Sequence, residues 1–317
     1  MKFSYWGLML GLCWTGCYQV QELEPPATDP KLTVQGIFAP GEPLGVQLTR
    51  SIPADTVYVF PPVLNATLEV YGEGQFLGRL DSLDRSLDPP VYRARQAIPW
   101  QAGQAYELRV QAPGFDAVTA RDTVPAFPEA VEWVSAYAER GRDLSPLDVA
   151  QRISIQGEAE LRIPPQAEVA FYSLRIRGEQ EYYQLPNRFE VIDSVFDADL
   201  SARITDSAGV TEVTRPYGLI AGFAFGELWT VLPNQEVKLT LRLSGALLRE
   251  EGPPDSLTLE LYAFSPAFAR YHQTYDEHMW LRDDPFSEGL NVASNVEGGY
   301  GLWGAYQVRR WRIAIEP

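Results

Sequence analysis

The feature that most constrains the fold is an alternation of apolar and polar side chains that recurs along most of the chain. It is clear in residues 32–38 (LTVQGIF), 105–112 (AYELRVQA), 236–245 (EVKLTLRLSG) and 256–264 (SLTLELYAF). Successive side chains of a β-strand point to opposite faces, so a period of two predicts strands with one face on a core and one in solvent. Glycine and proline separate these segments, which is typical of turns. The sequence therefore predicts a mainly β protein.

The strand patterns divide into two predicted domains. Residues 31–128 contain about seven of them, which predicts an immunoglobulin-like β-sandwich, in topology only because the Cys-Trp-Cys pattern is missing. The segment 126–130 (AFPEA) is the predicted joint. Residues 129–317 predict a larger antiparallel β domain that carries one helix and a Gly-rich loop.

The helix is predicted at about residues 265–281 (SPAFARYHQTYDEHMWL). Ser265 can cap its first turn, and Pro266 suits the first helical position. Several large side chains fall largely at helical spacing on one face, namely Phe268, Tyr271, Tyr275, Met279 and Trp280. We expect this face to pack on the sheet rather than to bind a ligand.

The N-terminus predicts export and lipid anchoring. Lys2 precedes an apolar run that is shorter than the roughly 20 residues a membrane-spanning helix needs. Small residues at 15–16 come directly before Cys17, as in a lipobox, although Trp14 departs from the usual leucine. Residues 1–16 are thus a predicted lipoprotein signal peptide, and residues 17–30 a proline-rich, lipidated tether. Two or more acyl chains such as palmitate on Cys17 would anchor the chain stably. The alternative is an ordinary secreted protein cut nearby.

Charge and cysteine content narrow the partners. The chain has 26 Lys and Arg against 42 Asp and Glu, a formal net charge of −16, which repels nucleic acid. We therefore expect no nucleic-acid partner, and contact with a membrane through the lipid anchor only. The two cysteines are Cys13, inside the leader, and Cys17, so no intramolecular disulfide is expected.

Catalytic and metal-binding patterns are weak. His272 and His278 lie six residues apart on the predicted helix and so point to different faces. His272 and Asp276 are one turn apart, but two ligands make a poor metal site without a third, and a solvated helix face is the favoured interpretation. Carboxylates within residues 283–288 match no calcium loop. No GxSxG, HExxH or Ser-His-Asp grouping stands out, so we expect no metal, no cofactor and no enzyme.

Residues 299–304 (GYGLWG) spell GxGxxG, a pattern that also occurs in dinucleotide-binding sites. Such a site needs a helix after the glycines, whereas residues 305–315 (AYQVRRWRIAI) have a strand pattern. The sequence instead predicts a tight loop laid against the sheet, in which Asn295 and Glu297 bond local backbone.

The same region carries a family resemblance. Its residues include Pro285-Phe286, Ser294-Asn295, Glu297-Gly298-Gly299 and Gly301-Leu302-Trp303-Gly304. This arrangement resembles the C-terminal signature of a Bacteroidota lipoprotein family catalogued as domain of unknown function 4249, which more often has Phe at the position of Trp303. Residues 65–68 and 123–125 agree with the family in order.

The resemblance implies a lipid-anchored protein of the outer membrane that faces the cell exterior. It implies a ligand-binding or accessory subunit of a TonB-dependent nutrient uptake system, with the transporter as partner. The alternative is a structural or adhesive surface lipoprotein, followed by an uncharacterised hydrolase. The family supplies no catalytic or binding residues, so we expect its motif residues to be structural.

Overall fold

A computed structural model describes residues 29–52, 60–128, 131–141, 152–179, 201–208, 210–214, 228–248, 256–281 and 290–316. The predicted leader, Cys17, most of the tether and the pair Pro285-Phe286 lie outside these residues. The N-terminal strands are β1 (Leu32–Phe38), β2 (Gly45–Arg50), β3 (Thr67–Gly72), β4 (Gln75–Asp84), β5 (Val91–Ala94), β6 (Ala105–Gln111) and β7 (Val118–Thr123).

The later elements follow in chain order. They are β8 (Glu132–Gly141), β9 (Arg152–Ile163), β10 (Ala170–Glu179), β11 (Ser201–Ala208), β12 (Val210–Thr214), β13 (Leu228–Val231), β14 (Val237–Leu248), β15 (Ser256–Phe264), α1 (Pro266–Leu281), β16 (Val296–Glu297) and β17 (Tyr300–Glu316). The prediction of a mainly β protein is confirmed.

The first unit is a ladder of strands that curls around one core. Its pairing order is β17–β1–β2–β5–β4–β3–β6–β7–β16, with β17 parallel to β1 and the other pairs antiparallel. Alternate residues such as Leu32 and Val34 in β1, and Leu68 and Val70 in β3, are almost fully buried. The two-residue period of the sequence is therefore the period of the core. The immunoglobulin-like arrangement of these strands stays a prediction.

The second unit is another ladder, in the order β12–β13–β10–β15–β17–β8–β9–β14–β11. All of these pairs are antiparallel except β17 with β8. Its core contains Leu161, Trp229, Leu259 and Ile313. Strand β17 is thus shared by the two ladders. Its residues 300–305 pair with β1 in the first, and its residues 306–314 pair with β15 in the second.

The Gly-rich segment differs from its prediction. The sequence predicted a tight loop, whereas residues 300–304 are the first part of β17. The turn is confined to Gly298 and Gly299. Glycine is present in the strand because β1 approaches very closely there, which a local rule for turns does not register.

The helix is confirmed at Pro266–Leu281. Phe268 packs on Phe264 of β15 with 4.4 Å between ring centroids, and Tyr271 is also buried. Trp280, however, is 78% exposed, so it does not belong to the packed face. No helix among the described residues is long and apolar enough to cross a membrane.

Strand β15 also differs from expectation. Its alternation predicted one solvated face, yet every residue from Thr258 to Phe264 is buried. Leu259 and Leu261 face the core of the second unit, while Tyr262 and Phe264 belong to the hydrophobic cluster that contains Phe268 of α1. The end of this face is covered because Phe268 of α1 stacks on Phe264, and Ile37 and Ala39 of the first unit belong to the same cluster.

Candidate functional site

Asn295 fixes the motif segment to the start of β17. Its Nδ2 donates hydrogen bonds to the carbonyl oxygens of Trp303, at 2.7 Å, and Arg121, at 3.2 Å. Its Oδ1 accepts from the backbone N–H of Trp303 at 2.9 Å. One amide side chain thus bonds both backbone groups of Trp303, in the manner of a paired strand.

Trp303 is the largest fully buried side chain among the described residues. Its ring stacks on Phe38 with 4.4 Å between centroids and lies 6.3 Å from Trp100. Its Nε1–H donates to the carbonyl oxygen of Tyr106 at 3.2 Å, so its polar atom is satisfied. This motif residue therefore closes the core of the first unit.

The glycines of the motif permit close contact between strands. Gly301 has φ +109°, and a Cβ there would overlap the Val34 carbonyl oxygen. A Cβ on Gly299 would lie 2.6 Å from the Leu32 carbonyl oxygen. Gly304 leaves space for the ring of Phe268, since a Cβ would come within 3.0 Å of it. These positions are glycine because of packing.

Three other motif residues surround the turn before β17. Gly298 has φ +80°, a conformation that glycine adopts without strain. The Glu297 carboxylate accepts from the Thr119 hydroxyl at 3.3 Å, a side chain rather than the backbone group expected for it. The Ser294 hydroxyl accepts from the N–H of Val296 at 3.2 Å.

Asp122 joins the start of α1 to β17. Its Oδ2 accepts from the Ser265 hydroxyl and from the Ala305 N–H at 2.7 Å, and its Oδ1 accepts from the Thr123 N–H at 2.9 Å. Ser265 also caps the helix, because its Oγ accepts from the Phe268 N–H at 3.2 Å. Burial raises the Asp122 pKa to about 6, against the lowering effect of these donors.

A groove opens beside this junction, between the two units. It encloses about 720 Å³ and is lined by residues 122–126 of the first unit, residues 166–172 and 263–264 of the second, and the first turn of α1. Asp122 and Glu168 are its acidic groups, and its described lining residues include no Lys or Arg. Val169 is 40% exposed there. The groove therefore presents apolar surface with negative charge.

A smaller cleft lies at the same end of the helix. It encloses about 410 Å³ between Pro266, Ala267 and Arg270 of α1 and residues 293–295. Of the described motif residues, Ser294 and Asn295 line this cleft, and none lines the groove. The other motif residues described build the strand junction.

An ion pair between a buried carboxylate and a half-exposed arginine links the two units. Glu260 is 1% exposed, and its carboxylate accepts from the Tyr262 hydroxyl at 2.6 Å and from Arg310 Nε at 2.8 Å. Arg310 Nη2 also donates to Glu42 Oε1 of the first unit at 2.7 Å. A buried carboxylate is tolerable here because it is paired and hydrogen-bonded.

The histidines do not behave alike. His278 Nδ1 lies 3.0 Å from the Leu290 carbonyl oxygen. His272 is only 1% exposed, so the expected solvated face is wrong at this residue. Neither of its ring nitrogens has a hydrogen-bond partner within the described part of the chain, and burial lowers its pKa to about 4. Among the residues that the structure describes, no group of three His, Cys, Asp or Glu could hold a metal ion.

Asp122 and Glu260 are not among the site residues that the sequence predicted, although a signal exists for Asp122. Asp122 occupies the inward position of its strand, in step with Val118, Ala120 and Val124, all of which are buried. An acidic residue in the apolar phase of an alternation marks a buried, bonded carboxylate. Glu260 has no such signal, because it lies in the polar phase of its alternation, in step with Ser256 and Thr258.

Comparison with known proteins places the chain in a family. A search of curated proteins finds no match. Among solved structures, the chain is similar to one described as the complete structure of manganese lipoxygenase of Gaeumannomyces graminis and partial structure of zonadhesin of Komagataella pastoris. The identity is 7%, the match covers 74% of this chain and 88% of that chain, and the TM-score of 0.17 is too low to relate the folds. A family described as domain of unknown function (DUF4249) matches residues 19–312. The chain therefore belongs to the DUF4249 family.

Proposed function

We propose that the protein is a lipoprotein of a Bacteroidota outer membrane that binds an extracellular ligand as an accessory subunit of a TonB-dependent transporter. The lipobox before Cys17 and the proline-rich residues 18–30 support the anchor. Membership of the DUF4249 family, together with the resemblance of residues 284–306 to its lipoprotein members, supports the compartment and the partner. The ladder order of the first unit likewise supports an immunoglobulin-like sandwich there.

The groove is the observation that carries ligand binding. Its volume of about 720 Å³ is in the range of small-molecule sites, roughly 300–1,000 Å³. Such sites are mostly apolar, hold few polar groups and often lie where two structural units meet, as here. Because Asp122 and Glu168 are its acidic groups, a neutral or cationic ligand fits better than an anion.

The test is purification of the native protein from outer membranes through an affinity tag after Pro317. Mass spectrometry should find acyl chains on Cys17, a stoichiometric TonB-dependent barrel and a co-eluting small molecule. An acylated protein without any such barrel would contradict the transport role.

A matched pair of variants tests the groove itself. Val169, 40% exposed, lines it, whereas Leu87, 43% exposed, does not. Val169→Arg should place a large cation in the groove and abolish recovery of the small molecule. Leu87→Arg should leave recovery unchanged, and both variants should melt like the wild type. Equal recovery of the small molecule from both variants would remove the groove as the binding site.

A further inference from the structure

One end of the first unit brings together residues from several parts of the chain. Tyr300 pairs with Thr33 in β1, and Leu32 pairs with Arg50 in β2. The Arg50 N–H donates to the Pro61 carbonyl oxygen at 3.1 Å. Neighbouring strands lie about 4.8 Å apart, so these positions form one continuous edge. We name this edge the tether end and define it by Lys31, Arg50, Phe60 and Tyr300.

The tether end exposes aromatic side chains beside cations. Phe60 is 57% exposed and Tyr300 is 49% exposed. The Lys31 ammonium lies 5.5 Å from the centre of the Tyr300 ring, within the range of a cation–π contact. Aromatic rings with basic neighbours are what proteins place at a membrane–water interface, because the ring is amphipathic and the cation meets the headgroups.

Charge also favours this end. Three cations at this end, Lys31, Arg50 and Arg85, stand against five carboxylates, Asp29, Asp84, Asp88, Asp116 and Glu297, so only a small part of the −16 of the whole chain lies here. Asp116 lies in the β6–β7 turn, and Glu297 pairs with β7 close by. The electrostatic repulsion from anionic headgroups that the chain as a whole would feel is thus small here.

The position of the chain start selects the partner. The described residues begin at Asp29, next to Lys31, and the preceding segment leads to Cys17. We infer that the tether end rests on the lipid surface that holds the anchor, with Phe60 and Tyr300 among the headgroups. This inference depends on the proposed acylation of Cys17. This orientation points the groove away from the membrane. Asp122, which lines the groove, bonds Ala305, and Ala305 lies at the opposite end of the β17–β1 pairing from Tyr300.

Single thiols can test this orientation in the full lipidated protein. The mature chain has no cysteine other than the acylated Cys17. A polarity-sensitive fluorophore is attached at Phe60→Cys or Tyr300→Cys. The control is Phe76→Cys, which is similarly exposed at 55% but follows the β3–β4 turn at the opposite end. Each protein is incorporated into vesicles of phosphatidylethanolamine and phosphatidylglycerol.

We expect nitroxide-labelled lipids to quench the label at 60 or 300 several times more strongly than the label at 76. Aqueous iodide should show the reverse order. Equal quenching of all labels in vesicle-bound protein would refute the orientation and leave the proposed function standing. A protein that stays out of the vesicles would refute the anchor and, with it, this inference. Unfolding curves that match the wild type confirm that each labelled chain is folded.

Discussion

Two buried groups, His272 and Asp122, should make the stability of the fold depend on pH in opposite directions. Replacement of His272 by phenylalanine should remove one of these dependences. The His272 ring packs against Phe268, with 4.4 Å between centroids, and against Tyr271 at 5.5 Å. Of the residues that the structure describes, none bonds either nitrogen, and Asp276, one turn along, offers them no hydrogen bond. Such surroundings disfavour the charged imidazolium, which is why burial lowers the His272 pKa to about 4.

The magnitude follows from the two protonation equilibria. Between the ordinary histidine pKa of 6.5 and the folded value of about 4, the unfolded chain binds a proton that the folded chain does not. Stability is therefore lost as the pH falls through this window. Each pH unit corresponds to about 1.4 kcal/mol, so the total loss is about 3 kcal/mol.

Asp122 has the opposite effect. Its folded pKa of about 6 lies above the ordinary value of 3.8, so the folded state takes up a proton first. Its contribution is fully present below pH 3.8 and is lost as the pH rises through about 6. The size is again about 3 kcal/mol, so the two groups nearly cancel in the wild type.

The assay is urea unfolding of Cys17→Ser protein at pH 7.5 and pH 4.5. At each pH the free energy of unfolding of the wild type is subtracted from that of His272→Phe. This difference should be about 2–3 kcal/mol larger at pH 4.5 than at pH 7.5. The effect of the substitution on packing is the same at both pH values and cancels. Asp122→Asn should show the converse, with stability falling on acidification relative to the wild type. A His272→Phe difference that is the same at both pH values would refute a buried, neutral His272.

Other predictions concern the junction at β17, each read by thermal and urea unfolding. Gly301→Ala should cost more than about 3 kcal/mol, since its Cβ would overlap the Val34 carbonyl; a loss near 1 kcal/mol would contradict this. Asn295→Ala should cost about 2–4 kcal/mol, because the backbone N–H and carbonyl oxygen of Trp303 both lose their bond to the Asn295 side chain. Asn295→Asp should cost less. Trp303→Phe should cost about 1–3 kcal/mol through lost packing and the lost bond to Tyr106; unchanged stability would argue against this core.

Local sequence rules predicted the elements whose causes are local. The alternation of β1 and β6 matches their buried residues, because a strand with one covered face needs this period. The helix began where Ser265 and Pro266 indicated, since capping involves only the neighbouring turn. A mainly β fold with a helix at 266–281 therefore followed from the sequence alone.

Features with distant causes were not predictable in this way. Glu260 is buried and paired with Arg310, and its strand has the same sequence pattern whether or not that face is covered. Gly301 reads locally as a loop residue, but its glycine is demanded by Val34, a residue of the first strand. His272 was expected on a solvated face, yet it lies one turn after Phe268 and is buried with it, so the packed face of the helix is wider than its large apolar residues indicated.

The sharing of β17 has a consequence for synthesis and export. A chain that emerges N-terminus first presents β1 long before residues 300–305, its parallel neighbours, have been made. Until the last strand arrives, the edge of β1 stays open and Trp303 is missing from the core beside Phe38. Contacts so distant in sequence slow folding and leave strand edges available for wrong pairing. Completion of the first unit thus waits for residues 300–305, and loss of these residues would leave the edge of β1 and the core beside Phe38 uncovered.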